Sequence, residues 1–298
     1  MAETLYKGSN TAVKVASTVI PRAQEFSISV DRTAEAEYEL GNESPAGTST
    51  TPWMYGGRLS FHPISTLTER AIIGQEATAG YVVKLADIMG ATGLAITSPA
   101  AGLTGAVATG LEYSVSVPNG KWLCSMDLKA TGYSGITTVT APAVAGVGAY
   151  RAKHIYVRCE SLGSNLLRVR SITASARYSA EDDYQLSSAD PFAILATAPN
   201  VTAQIEWYLN TESVNPGTNA TDLRPILEDA SGVDFEVQVV PAGSSWDSIG
   251  NIRMMLQNMT TDKRSIATRV QQRGTFGIGY VSGGDATTYG WTVDYIAA

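Results

Sequence analysis

The sequence predicts an all-β protein with minor helix, built from two tandem copies of one domain. Three observations carry this reading. Short runs such as Phe26-Ser27-Ile28-Ser29-Val30 and Tyr113-Ser114-Val115-Ser116-Val117 alternate with a period of two, the repeat of a half-buried strand. Helix signals are few: a stretch after Thr66, where Thr66 and Glu69 have capping-box spacing, and a short segment from Asp222 as N-cap to about Asp229. A strand-rich segment near the amino terminus also recurs in the second half of the 298 residues.

Taken in order, the run at 26–30 is the first strong strand. After it, Glu35, Glu37 and Glu39 share one parity, while Ala34, Ala36, Tyr38 and Leu40 share the other. On an extended strand the carboxylates line one face and the apolar side chains the opposite one. An ordinary solvated face and a specialised acidic surface both fit that row. The stretch between Gly90 and Gly110 is uncharged and rich in small residues, with Pro99 inside it. It reads as a long loop or arm at 91–109, whose Leu94, Ile96, Leu103 and Val107 are candidates for contact with a partner or with their own domain. Pro118-Asn119-Gly120 then separates two alternating runs, the second carrying Trp122, Cys124 and Met126. Asn-Gly in that position is a hairpin signal, because both central residues of a type I′ turn need positive φ.

The repeat is the most informative feature. Ser27-Ile28-Ser29 recurs as Ser171-Ile172-Thr173, 144 residues on. After a two-residue slip, Ala34 to Leu40, leading to Pro45, recurs as Ala180 to Leu186, leading to Pro191, with an offset of 146. In the second copy Glu181, Asp183 and Gln185 repeat the acidic parity, and Arg58-Leu59-Ser60-Phe61 falls opposite Gln204-Ile205-Glu206-Trp207. Two domains, 1–150 and 151–298, follow, with Tyr38 matching Tyr184 and Leu40 matching Leu186 as inward-packed positions.

Composition narrows the function. Hydrophobic residues make up 44 % and charged residues 16 %, below the roughly one quarter usual for soluble domains, which suits a surface covered by partners. A net charge of −7 argues against tight, charge-driven nucleic-acid binding, which needs Lys and Arg in excess. Cys124 and Cys159 lie in apolar strand-like runs, where buried free thiols are expected more than a bridge. The amino terminus lacks a secretory pattern, and no run reaches the length of a membrane span, so neither secretion by the usual route nor membrane insertion is expected.

Catalytic patterns are sparse. Of the two histidines, His62 precedes Pro63 and His154 lies in a strand-like run, so both read as packed or surface residues. No HExxH, CxxC or GxSxG pattern occurs. Gly274 to Gly279 lacks the GK[ST] that would make a phosphate cradle and reads as strand. Adjacent Glu181, Asp182 and Asp183 point to opposite faces and lack the spacing of a calcium loop. No enzyme activity, cofactor or metal is expected.

The segment Gln24 to Val30, with Ala34-Glu35 and Tyr38-Glu39-Leu40-Gly41, resembles the lumen-lining hairpin of the tail tube proteins of tailed bacteriophages. Leu167 to Ile172, Ala180-Glu181, Tyr184-Gln185-Leu186 and Ala203 to Trp207 are similar to the same pattern, departing at Ser187, where the family often has glycine. Gly279 to Asp285 followed by Trp291 to Tyr295 resembles the family's closing glycine-rich turn between strands.

The resemblance implies tandem β-sandwich or barrel-like tube domains whose long hairpins line a channel, with Glu35, Glu37, Glu39, Glu181 and Asp183 facing the lumen. It implies stacked rings in a virion tail, made in the host cytoplasm, through which a tape-measure protein and then DNA pass without specific binding. Six tube domains per ring would mean three chains, or six if each chain supplies one. Further implied partners are baseplate or tail-terminator proteins and, in contractile tails, a sheath. The alternative function is a tail-fibre or baseplate β-sandwich that binds a host carbohydrate or receptor.

Overall fold

The computed structural model describes residues 12–38, 40, 44, 47–78, 80–98, 101–118, 120–135, 148–159, 164–165, 169–208, 230–267, 275–283 and 290–295. Among these, 59 % are strand and 7 % helix, the all-β class that the period-two runs predict.

The first half opens with a small hairpin, β1 (Lys14–Val15) and β2 (Thr18–Val19). A long hairpin follows from β3 (Ala23–Asp31) to β6 (Met54–Phe61), and its far end carries a separate ribbon of β4 (Ala34–Glu37) and β5 (Gly47–Thr50). Next come α1 (Leu67–Ile72), β7 (Val83–Lys84), α2 (Leu85–Gly90), β8 (Leu94–Thr97), β9 (Gly102–Ser116), β10 (Leu123–Ala130) and β11 (Gly132–Ser134). After a 3-10 turn at Ala152–His154, the second half runs through β12 (Ile155–Cys159), β13 (Ser164–Asn165) and β14 (Val169–Arg177). It continues with the ribbon β15 (Ala180–Asp183) and β16 (Ala193–Ala196), then β17 (Asn200–Tyr208), β18 (Val233–Val239), β19 (Ile252–Ala267), β20 (Thr275–Ser282) and β21 (Trp291–Tyr295).

The pairing pattern occurs twice. In antiparallel succession β3–β6–β10–β9 matches β14–β17–β20–β19. Ala23 lies opposite Phe61 and Val169 opposite Trp207, each member 146 residues later (169 − 23 = 207 − 61 = 146). The irregularities recur as well. The register shift at Ala23/Glu25 returns at Val169/Ser171, that at Leu94/Ile96 returns at Val233/Phe235, and the residue bulged out of the β9–β10 ladder, Thr109, has its counterpart in Asp262 of β19. Bulges set local twist and bend, so the two halves carry the same kind of local distortion at corresponding ladder positions.

One alignment inferred from sequence needs correction. The strand counterparts of Ser27-Ile28-Ser29 are Thr173-Ala174-Ser175, at 146, and not Ser171-Ile172-Thr173. The two additional residues fall earlier: four positions separate Cys159 from Ser164 in the β12–β13 hairpin, against two between Val15 and Thr18. A hairpin loop absorbs an insertion without moving the ladder, whereas a slip inside a strand would exchange its faces.

Beyond β10, the carboxyl-terminal part of β9 also pairs with β14, from Ser116↔Ser171 to Gly110↔Arg177, so the quartets join as β3–β6–β10–β9–β14–β17–β20–β19. The core forms where the sheets fold over one another. Tyr113 of β9 stacks on Trp122 with ring centroids 5.4 Å apart, and meets Trp291 of the last strand at 5.6 Å. Phe235 and Tyr280 pack at 4.8 Å in the second half. Cys124 and Cys159 are buried free thiols.

The stretch at 91–109 is not an arm. Residues 94–97 and 102–116 are β8 and β9, and Leu94, Ile96, Leu103 and Val107 are buried in the core. Leu94, Ile96 and Leu103 belong to the main core cluster, while Val107 is buried on the strand face it shares with Lys129. Small residues are needed there for packing: a Cβ on Gly102 would stand 2.5 Å from Ser134 Oγ.

One turn reading and one cap reading also change. The β9–β10 hairpin forms, but Gly120 N–H bonds Ser116 C=O at 2.8 Å, a wider closure than a two-residue turn. Gly120 is required by close approach, because a Cβ would lie 2.0 Å from Ser116 O. Ser187, where the resemblance expects glycine, sits at φ +70°, the left-handed region that glycine enters without penalty. At α1 the Thr66–Glu69 spacing does not make a capping box: Thr66 makes no side-chain cap bond, and Glu69 points into the core. The helix expected at Asp222 to Asp229 lies outside the described residues.

Candidate assembly surface

Each long hairpin ends in a ribbon, and the two ribbons differ in their surroundings. In β4 the side chains of Ala34, Glu35, Ala36 and Glu37 are all exposed, so the parity of the sequence separates two solvent-facing sides. In β15, Glu181 and Asp183 are exposed while Ala180 and Asp182 are half-buried. Glu39 lies outside the described residues. Tyr38 and Leu40 are not inward-packed: Tyr38 is 64 % exposed and Leu40 is fully so, as is Leu186. Tyr184 is the half-buried member of the four.

The half-buried state of the second ribbon has identifiable causes. Lys129 Nζ of β10 donates to Asp182 Oδ2 at 3.1 Å and to the Ala180 carbonyl at 2.9 Å. Tyr184 Oη donates to the Trp53 carbonyl at 2.9 Å, and Trp53 N–H donates to the Ala189 carbonyl at 2.8 Å. Tyr55 Oη donates to Asp190 Oδ1 at 2.6 Å; its pKa is pushed up to about 12, mainly by burial and then by that carboxylate. Burial, then the charge of Asp182, raises the Tyr184 phenol. Residues near the first long hairpin therefore hold the ribbon of the second half. Lys129, Trp53, Tyr55 and Asp190 gave no sequence signal, because these contacts join positions far apart in the chain.

The outer ends of the strand succession are β3 and the last residues of β19. Among the described residues β3 has a single ladder partner, β6, and the segment Lys263–Ala267 of β19 has a single ladder partner, β20. Sheet edges are normally blunted by charge, proline or a cover. Here Phe26 to Val30 is uncharged, between Glu25 and Asp31, and Val30 is exposed. In β14, by contrast, Ile172, Ala174 and Ala176 are buried. Across the β9–β14 junction Arg177 faces Glu112 at 3.8 Å.

Catalytic candidates stay separate. His62 is buried with Nδ1 2.8 Å from the Trp122 carbonyl, and burial lowers its pKa; His154 is also lowered by partial burial. No group of three or more His, Cys, Asp or Glu side chains able to hold a metal occurs among the described residues, and none of their helices is long and apolar enough to cross a membrane. Gly277 and Gly279 lie in β20 between β17 and β19. No protein-family model matches the chain, and no curated protein matches it.

Proposed function

We propose that the chain is a non-enzymatic virion protein that polymerises into stacked rings forming the tail tube of a tailed bacteriophage. In this reading 1–150 and 151–298 are two tube domains, three chains complete a pseudo-sixfold ring, and the long hairpins line the channel. The observation that carries the reading is the duplicated hairpin-with-ribbon in one succession of strands whose outermost members, β3 and the end of β19, each show a single ladder partner among the described residues. Edge strands are an aggregation liability in a monomer and become assembly contacts where subunits close on themselves.

The acidic ribbon fits a conduit for DNA. Glu35, Glu37, Glu181 and Asp183 are solvent-facing carboxylates, which repel phosphates instead of holding them through salt-dependent contacts. A tape-measure protein, baseplate or terminator proteins and, in a contractile tail, a sheath would be the partners, with assembly in the host cytoplasm.

Negative-stain electron microscopy and native mass spectrometry of the purified chain test the reading. Rings or hollow tubes with three chains per layer are expected. Six chains per layer overturn the count alone, whereas discrete globules overturn the tube and favour a receptor-binding β-sandwich.

A further inference from the structure

We propose that Lys121, Arg151, Lys153 and His154 form a binding site for a phosphate dianion, either free or as the terminal group of a phosphomonoester. The site lies beyond the Phe61 end of the β6–β10 ladder, away from the ribbons, and is independent of how the chain assembles.

The geometry starts from the β9–β10 turn. Trp122 N–H donates to the Tyr150 carbonyl at 2.8 Å and Ala152 N–H to the Gly120 carbonyl at 2.9 Å, which sets Lys121 opposite Arg151 in an isolated antiparallel bridge. Because the flanking residues make those bonds, Lys121 and Arg151 are a non-hydrogen-bonded pair, the kind whose side chains share one face and stand closest. Trp122 is buried, so by alternation Lys121 points outward, and both cations are exposed. Like charges set directly opposite one another destabilise a strand pair. Elsewhere Arg58, Lys129, Arg170, Arg177 and Lys263 each meet a carboxylate, whereas Lys121, Arg151 and Lys153 make no ion pair among the described residues.

The 3-10 turn after Arg151 adds two groups. His154 N–H donates to the Arg151 carbonyl at 2.8 Å and closes the turn, with the exposed Lys153 inside it. Arg151 N–H donates to His154 Nδ1 at 3.3 Å, which selects the neutral tautomer and leaves the ring proton on Nε2 as a donor. Tyr150 packs edge-on against the same ring, with centroids 6.1 Å apart.

Both histidines register a positive field at this end of the molecule. Partial burial, then Lys153 and Arg151, lower the His154 pKa. Burial lowers that of His62, its bond to the Trp122 carbonyl opposes the change, and Lys121 and Arg22 lower it further. His62 Nδ1 lies 2.8 Å from that carbonyl and its backbone N–H donates to the Arg22 carbonyl at 3.2 Å, so the cationic end continues to the turn before β3.

A phosphate dianion matches this set. Its two charges offset an opposed pair of cations that a single carboxylate would leave half neutralised. Its oxygens accept from the planar fork of Arg151 and from the ammonium groups, and His154 Nε2–H donates without needing a charge. The diester phosphates of nucleic acid carry one charge each, and the rest of a chain at −7 repels them.

The test compares the full-length parent with Lys121→Gln and Arg151→Gln above about pH 7, where phosphate is mostly dianionic. Thermal unfolding is followed in inorganic phosphate, in glycerol phosphate and in chloride of matched ionic strength. Phosphate should raise the parent's melting temperature beyond chloride and shift the His154 ring resonances in a saturable way. In chloride each variant should melt no lower than the parent, because a like-charge contact is gone, yet its affinity for phosphate should fall several-fold. Lys121→Arg, which keeps the charge, should retain the phosphate effect. A rise with glycerol phosphate no larger than that with phosphate assigns the free ion, and a larger one assigns the ester. A parent that responds to phosphate only as it does to chloride overturns the site, as do variants that respond to phosphate as the parent does.

Discussion

Lys129 Nζ lies 3.1 Å from Asp182 Oδ2, tying the strand β10 of the first half to the ribbon of the second. The side chains are 35 % and 12 % exposed, so the pair is partly shielded from water without being desolvated outright. Removing the lysine also leaves the Ala180 carbonyl without this donor.

Lys129→Ala is accordingly expected to cost on the order of 1 kcal/mol, after allowance for screening, and to act locally. Hydrogen exchange should quicken at the amides of Ala180–Asp183 while core strands keep their protection. Unchanged protection in β15 would show that the ribbon is held by Tyr184 and Tyr55 alone.

Stability should fall as pH rises through neutrality because of Glu69. Its carboxyl is buried, accepts a hydrogen bond from the Tyr113 hydroxyl, and is pushed up to about 7 from 4.5, with burial outweighing that bond. The folded state therefore holds a proton that the unfolded state has lost between those values. Its contribution is complete below about pH 4.5 and fades as pH climbs through 7. Glu69→Gln should remove up to roughly 3 kcal/mol of the difference in unfolding free energy between pH 5 and pH 8. Denaturant titrations at the two pH values measure it, and an unaltered difference would place the pH sensitivity elsewhere.

Leu103→Ala is expected to destabilise the chain by about 2–5 kcal/mol, the range for emptying a packed aliphatic site. Deleting 91–109 should abolish folding, since it removes β8 and about half of β9. Thermal unfolding followed by near-ultraviolet circular dichroism separates this outcome from that of a dispensable loop, which would melt like the parent.

If the proposed tail-tube function holds, replacing Glu35, Glu37, Glu181 and Asp183 together by Lys should leave rings able to form and slow DNA exit, because attraction to phosphates replaces repulsion. Ejection timed at low and moderate salt measures the effect. Kinetics equal to the parent at both would remove the electrostatic role of the ribbons.

The long hairpins were legible because Phe26 to Val30 and its counterpart alternate as half-buried strands do, and because the ribbon residues recur at a fixed spacing. The strand at 94–97 and the part of β9 before the alternating run at Tyr113 were not. Gly102, Ala106, Ala108 and Gly110 lack the bulk that makes alternation visible, since β9 packs closely against several neighbours and is buried along most of its length. Glu69 was misread because capping-box spacing resembles the spacing that turns a side chain into the core. Tyr38 and Tyr184 occupy matching positions of the repeat; their exposure differs because Tyr184 finds the Trp53 carbonyl, a contact set by tertiary placement.

The ladder between β9 and β14 belongs to one polypeptide, so its two strands meet at a local concentration fixed by the connecting chain and not by how many molecules surround them. Dilution cannot separate them while the chain stays folded, and the carboxyl-terminal edge of β9 is occupied before any collision with another copy. In the assembly proposed above, only contacts at the outer strands would depend on protein concentration, so growth would proceed in steps of one whole pair of quartets, with no half-unit free to cap or poison it.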